Sequence, residues 1–280
     1  MKTGITGATG QLGRIVVEKL KEKIAQENIA ALVRNPQKAA DLGIEVREFD
    51  YTREETLAKA LEGIDNLLLI SGNEFGQRAT QHANVIEAAK KAGVKWIVYT
   101  SLLHADTSTL SLAGEHLATE EALKKSGIEF TILRNGWYTE NYTGSVKGAL
   151  AAGAFIGSAG EGQISSAVRA DFAEAAVEVL TSGDYKGATL ELAGDSAYTL
   201  SGLAAEISRQ TGNTLPYKNL SEPEYAAILK SMGVPEAFAA VIAGWDISAS
   251  KGDLFDDSHQ LSKLIGRPTT SLIEAVSRTL

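Results

Sequence analysis

The chain of 280 residues contains no cysteine, which excludes disulfides, thiolate catalysis and cysteine-ligated metals. No apolar run reaches bilayer-spanning length; Leu67-Leu68-Leu69-Ile70 is strand-sized and bounded by polar residues. The first residues pass directly into a candidate strand and leave no room for a signal peptide, so a cytoplasmic protein with no membrane contact is expected. Positive charge is also short. Lys and Arg number 27 against 35 Asp and Glu, a formal net charge of −8, so no nucleic-acid partner is expected. The four histidines, His82, His104, His116 and His259, show no ligand spacing, and no metal is expected. His116 stands one helical turn before Glu120, the spacing of a local side-chain pair. Asp253, Asp256 and Asp257 read as a solvated cap.

What is present is an ordinary folded composition, 44% apolar with 27 glycines. Strand and helix signals alternate from the start. Candidate strands precede Thr6 and occupy Ala30–Val33, Val46–Phe49, Leu67–Ile70, Trp96–Thr100 and Phe130–Leu133. Between them lie helical patterns at Leu12–Leu20, after Asn35-Pro36, around Leu57–Leu61, at Gln77–Ala92 and at Ala113–Lys125. Thr52 and Glu55 have capping-box spacing. This repetition predicts an α/β fold, a Rossmann-like doubly wound parallel sheet, with residues 1–135 as its main nucleotide-binding part. Residues 136–280 read as a mixed region: Thr189–Leu192 returns to the sheet, and a smaller, mainly helical C-terminal lobe forms from helices near Thr199–Gln210 and Pro223–Met232. That lobe is expected to close over the cofactor.

Thr6-Gly7-Ala8-Thr9-Gly10-Gln11-Leu12-Gly13 joins the first strand to the first helix, as a dinucleotide phosphate site requires. Gly7 allows the sharp turn, Gly10 lets backbone approach a pyrophosphate, and Gly13 lets the helix pack closely on the sheet. Arg34 ends the second strand, where an NAD site usually carries an acid; its charged fork suits a 2′-phosphate, and otherwise it only solvates the strand end. NADP(H) is therefore the expected cofactor. Asp50 suits either an adenine amino group or a local turn, and Gly72 either close approach to the dinucleotide or a simple turn. Asn135, ending the sixth strand, suits a carboxamide or ribose, or a neighbouring backbone group. Phe75, Trp137, Tyr138 and Tyr142 offer aromatic faces for a planar ring, with Asn141 or a tyrosine hydroxyl to orient it. No catalytic residue emerges, and Tyr138 is the candidate for substrate orientation.

None of the eight tyrosines has a lysine four residues onward: Leu103 follows Tyr99 at that distance, Tyr142 follows Tyr138, and Val146 follows Tyr142. The tyrosine–lysine pair that protonates alkoxides in many short-chain reductases is therefore missing. The motifs Ile5–Gly13, Ala31–Pro36, Tyr99–Thr107, Leu133–Tyr138 and Phe255–Ser258 together resemble the NADPH-dependent quinone reductases of the bacterial type-two, NmrA-like branch of the atypical short-chain dehydrogenase/reductase family. The resemblance covers nearly the whole chain. It implies flavin-free hydride transfer from NADPH to a small planar, electron-poor quinone, and allows for a homo-oligomer. It places Gly7, Ala8, Thr9, Gly10, Gln11, Leu12 and Arg34 at the cofactor, and Arg169 beside the nicotinamide. Glu74, Phe75 and Gly76, with the Tyr138–Thr143 segment including Asn141, Tyr142 and Thr143, fall near the nicotinamide and the substrate. A quinone also makes the missing pair intelligible, because its reduced oxyanion is resonance-stabilised and takes a proton from solvent. Two neighbouring branches give the alternatives: triphenylmethane-dye reductases, and NmrA-like dinucleotide-sensing regulators.

Overall fold

Short apolar runs in the first half of the chain line up as parallel strands, because helices cover both of their faces. The computed structural model describes all 280 residues. The strands are β1 (Thr3–Thr6), β2 (Ile29–Val33), β3 (Glu45–Glu48), β4 (Asn66–Leu69), β5 (Trp96–Leu102), β6 (Glu129–Asn135), β7 (Phe155–Gly157), β8 (Thr189–Leu192) and β9 (Tyr217–Asn219). The first helices are α1 (Gln11–Lys21), α2 (Glu54–Ala60), α3 (Arg78–Ala92), α4 (Ala113–Ser126), α5 (Glu140–Thr143) and α6 (Val146–Ala152). They are followed by α7 (Arg169–Ser182), α8 (Leu200–Thr211), α9 (Glu222–Ser231), α10 (Glu236–Ser250), α11 (Gln260–Ile265) and α12 (Leu272–Ser277).

The chain forms two compact units. The first comprises Met1–Ala105, Gly114–Asn135 and Arg169–Leu192, and holds a seven-stranded sheet in the order β3-β2-β1-β4-β5-β6-β8. Every adjacent pair is parallel. This is a Rossmann-like doubly wound sheet, and the order reverses direction between β1 and β4, where ligands of such sheets bind. Ala30, Leu32, Leu67, Leu69, Ile97 and Tyr99 form one core with Leu57 and Leu61 near α2, Val85 and Ala89 of α3, and Leu123 of α4. Strand residues alternate in direction, so Ile5, Ala31, Leu68 and Val98 face the other side, where α1 and α7 pack together. Lys19–Glu174 ties those two helices at 2.8 Å, and Lys23, just past the end of α1, adds a pair to Glu178 at 2.9 Å.

Local chemistry differs from expectation at two places. Asn35 does accept from the Gln37 N–H with Pro36 next, but Pro36–Leu42 winds as a 3-10 helix. The Thr52–Glu55 capping box does not form. Asp50 Oδ1 takes both the Thr52 N–H at 3.0 Å and its hydroxyl at 2.8 Å, so Arg53 stands at the start of α2 without a side-chain cap. α7 was not anticipated by the strand–helix count, although Phe172, Ala173, Ala176, Val177 and Leu180 bury one helical stripe.

The second unit comprises Asp106–Ala113, Gly136–Val168 and Ala193–Leu280. It is mainly helical, with β7 and β9 paired in parallel from Phe155↔Tyr217 to Gly157↔Asn219. Thr199 caps α8 by accepting the Gly202 N–H at 3.0 Å, while Ser221 and Glu224 form a capping box on α9, which packs on α10. Asp253 accepts the N–H and hydroxyl of Thr109, 144 residues earlier, and so ties two segments of this unit together rather than capping a helix.

Candidate functional site

The turn after β1 is built to bring backbone close to an anion. Gly7 adopts φ +59°, a conformation that costs other L-residues, and its carbonyl accepts the Gly10 N–H at 2.8 Å. A Cβ at Gly13 would lie 2.3 Å from Gly7 O and 2.8 Å from Ala8 Cα, so only glycine lets α1 start this close to the turn. α1 has no side-chain cap and no acid in its first turn. The amides of Gln11, Leu12 and their neighbours therefore sit at a positive helix end that no carboxylate neutralises. Thr6 Oγ1 accepts the Ile70 N–H at 2.9 Å and lies 2.7 Å from the Tyr51 hydroxyl, which locks the end of β1 to the end of β4. The sheet's reversal point is thereby rigid.

Arg34 is solvent-facing directly after β2, and its Nη1 donates to Glu74 Oε1 at 2.9 Å. Glu74 Oε2 also accepts from Gln81 Nε2 at 2.7 Å. Asp50 completes its turn with Thr52. Its partial burial opposes ionisation, but the two Thr52 bonds and the charges of Arg34 and Arg53 hold its carboxyl below the usual range. Gly72 is not at positive φ, and a Cβ there would meet its nearest neighbour, Gln81 Oε1, at 3.4 Å. Neither close packing nor a positive φ demands a glycine at that point.

The Gly72 peptide is gripped by one face of α3, a role not visible in the sequence. Its N–H donates to His82 Nε2 at 3.0 Å and its carbonyl accepts from Arg78 Nε at 2.8 Å. Because His82 Nε2 accepts, Nδ1 carries the proton and donates to Thr119 Oγ1 at 3.0 Å. Burial, then the nearby Arg78 charge, push the His82 pKa down to about 3, so the ring is neutral. Arg78 is itself balanced by Glu115 at 3.0 Å. His116 does not pair with Glu120: its Nδ1 lies 2.7 Å from the Tyr99 hydroxyl, while Glu120 takes the Arg134 guanidinium and the Ser101 hydroxyl.

Asn135 closes β6 and is 4% exposed, yet neither its amide nitrogen nor its amide oxygen meets a protein partner. A buried amide left this way costs about 1–3 kcal/mol unless a ligand satisfies it. Its side chain does not serve the local turn. The glycine turn, the open helix start, Arg34 and this orphaned amide fit a dinucleotide carrying a 2′-phosphate. Arg169 opens α7 in the same unit, half-buried.

Of the aromatic candidates, Phe75 is exposed in the first unit and the others belong to the second. Trp137 packs edge-to-face on Trp245 at 5.4 Å, and Phe238 on Trp245 at 5.9 Å. Tyr138 is half-buried beside a backbone bridge to Ala167, Asn141 is exposed, and Tyr142 and Thr143 are buried. Burial raises the Tyr142 hydroxyl well above its ordinary value, with the Asp246 charge adding to it, so it stays protonated. Asp246 was not anticipated. It is 5% exposed on α10, its Oδ2 accepts the Ser158 N–H at 2.8 Å, and burial pushes its pKa up to about 6. The one signal for it was a lone acid within the apolar stretch Ala239–Ile247.

Known proteins resemble this chain closely. The model of an NAD(P)H-binding family matches residues 7–183. Quinone oxidoreductase 2 of Escherichia coli K12 is 58% identical over 276 residues, 98% of this chain and 96% of that one. The solved structure of the NADPH-dependent quinone oxidoreductase QOR2 from E. coli, complexed with NADPH, superposes with a TM-score of 0.96 at 57% identity and covers 99% of both chains. Triphenylmethane reductase of a Citrobacter species, complexed with NADP(H), gives a TM-score of 0.96 at 39% identity over the whole of both chains. The chain thus belongs to the NAD(P)H-binding family, as a relative of the E. coli quinone oxidoreductase 2.

Proposed function

We propose that this protein is an NADPH:quinone oxidoreductase that works without flavin or metal. The observation that carries the reading is the match to E. coli quinone oxidoreductase 2 along nearly the full length of both chains. The glycine turn, with Arg34 positioned for a 2′-phosphate, supports the same coenzyme that the related structure holds.

In this reading Gly7, Ala8, Thr9, Gly10, Gln11 and Leu12 present backbone to the pyrophosphate, and Arg34 takes the 2′-phosphate. Asp50 and Gly72 border the adenosine half, while Asn135 and Arg169 hold the nicotinamide half, Asn135 giving its buried amide the partner it lacks. NADPH supplies a hydride directly to the acceptor. The protein's task is then orientation: fixing the ring, keeping the coenzyme rigid at the sheet's reversal point, and excluding competing water. On the first unit Glu74, expected beside the acceptor, is read instead at Arg34, to which it is paired, leaving Phe75 and Gly76 as that unit's proposed acceptor contacts. On the second unit Trp137, Tyr138, Asn141 and Thr143 are proposed, with Tyr138 orienting the ring and Tyr142 as an inner wall. No tyrosine–lysine pair is needed, because solvent protonates a quinol anion. A small-molecule, cytoplasmic role is part of the same proposal.

The test is quinol formation from benzoquinones by flavin-free protein supplied with NADPH deuterated at its reactive carbon. Stoichiometric oxidation with the label leaving that carbon is expected. Tight NADPH binding without turnover across a broad acceptor panel would favour a regulatory role. The Citrobacter relative supports one second reading: faster turnover of cationic triarylmethanes than of quinones would make this a dye reductase.

A further inference from the structure

Arg34, the proposed ligand of the 2′-phosphate, is already engaged by Glu74 at 2.9 Å. That carboxylate is exposed, yet both of its oxygens are engaged. Its other oxygen is held at 2.7 Å by Gln81, which is 6% exposed on the same face of α3 that grips Gly72 through Arg78 and His82. One carboxylate is thus fixed between a guanidinium and a buried amide. Its place in the fold is specific. β2 and β4 flank β1, so an ion pair between the residues that follow β2 and β4 crosses the end of β1, where the glycine turn begins. Arg34 is also drawn on by Asp50, whose ionisation its charge favours.

We propose that Glu74 is a specificity-determining residue: it competes with the coenzyme's 2′-phosphate for Arg34 and so sets how strongly the protein prefers NADPH over NADH. The inference rests on the reading of this site as an NADP(H) site. A phosphate dianion outcompetes a carboxylate for the fork, but Glu74 holds Nη1, so the phosphate must displace that bond or share the guanidinium with the carboxylate. Gln81 keeps the displaced carboxylate nearby, so its negative charge continues to oppose the phosphate. NADH has a ribose hydroxyl at that position and leaves the pair closed. Glu74 therefore weakens one coenzyme and spares the other.

The experiment is a binding cycle with wild type, Glu74→Gln, Arg34→Ala and the double variant, read by calorimetry without any acceptor. The probes are NADPH, NADH, adenosine 2′,5′-bisphosphate and 5′-AMP. An exposed ion pair of this kind limits the effect to about twofold to fivefold. Glu74→Gln is expected to tighten NADPH and the bisphosphate by that factor, to leave NADH and 5′-AMP within about twofold, and to lose its advantage when Arg34 is absent. Glu74→Ala gives a second, independent variant with the same expected selectivity. Weaker NADPH binding, an equal change for both coenzymes, or an undiminished gain in the Arg34→Ala background would overturn the proposal. Failure of the underlying site reading looks different: wild type would then bind the bisphosphate no better than 5′-AMP.

Discussion

Replacing Asp246 by Asn is expected to stabilise the protein at neutral pH, and the size follows from its burial. Asp246 accepts one N–H, from Ser158, and its carboxyl titrates near 6 rather than the ordinary 3.8 because water is kept from it. A raised carboxyl pKa means the folded state prefers the protonated acid. The penalty is therefore absent below pH 3.8, grows as pH rises through the window up to about 6, and is constant above it. At about 1.4 kcal/mol per pH unit, the full penalty is about 3 kcal/mol. Asn keeps an oxygen to accept the Ser158 N–H and carries no charge, so most of this is recovered. At about 2–4 °C per kcal/mol for a chain of this size, the melting temperature at pH 8 should rise by about 5–10 °C, with little change at pH 4. Thermal unfolding followed by circular dichroism across that range is the assay. A lower melting temperature at pH 8, or an equal gain at both extremes, would refute the account of a desolvated, ionised carboxylate. A carboxylate retained at this cost is also a natural subject for kinetics, since such groups concentrate at functional sites.

Other consequences are open to measurement. Arg34→Ala should weaken NADPH about tenfold to hundredfold while changing NADH little, as charge-assisted bonds to a phosphate imply; equal losses, seen by titration calorimetry, would remove the 2′-phosphate role. Asn135→Leu should raise unfolding stability by about 1–2 kcal/mol in the free protein, because a buried amide without partners is removed, and should weaken the coenzyme, a trade-off visible as opposite shifts with and without NADPH. His82 is held neutral, with its folded pKa near 3 against an ordinary 6.5, so stability should fall as pH drops from 6.5 towards 3, where the unfolded chain gains a proton and the folded one does not. His82→Gln should flatten that decline in acid denaturation curves and raise the KM for NADPH by loosening the Gly72 peptide, with kcat less affected.

The parallel sheet was legible because its signals are redundant: buried strands such as Leu67–Leu69 are continuous apolar runs, and the intervening helices carry their own stripes and stops. The glycine turn was legible for the same reason, three glycines each answering a separate steric need. Competition between neighbours was not. Thr52 and Glu55 have the spacing of a cap, but the Asp50 carboxylate two residues earlier captured the threonine first. β7 and β9 are three residues each and pair across some sixty positions, so neither carries a periodic signature of its own. The grip of Arg78 and His82 on Gly72, and the lack of partners at Asn135, exist only once tertiary packing has chosen who meets whom.

The edge-to-face row of Phe238, Trp245 and Trp137 gives the second unit its own optical label. The chain has three tryptophans, and the remaining one, Trp96, is buried in β5 of the first unit. Changing Trp96 to Phe would leave an emission spectrum belonging to the second unit alone, with Trp245 adjacent in sequence to Asp246. Ionisation of that carboxylate would then be looked for as a change in emission, without any added dye.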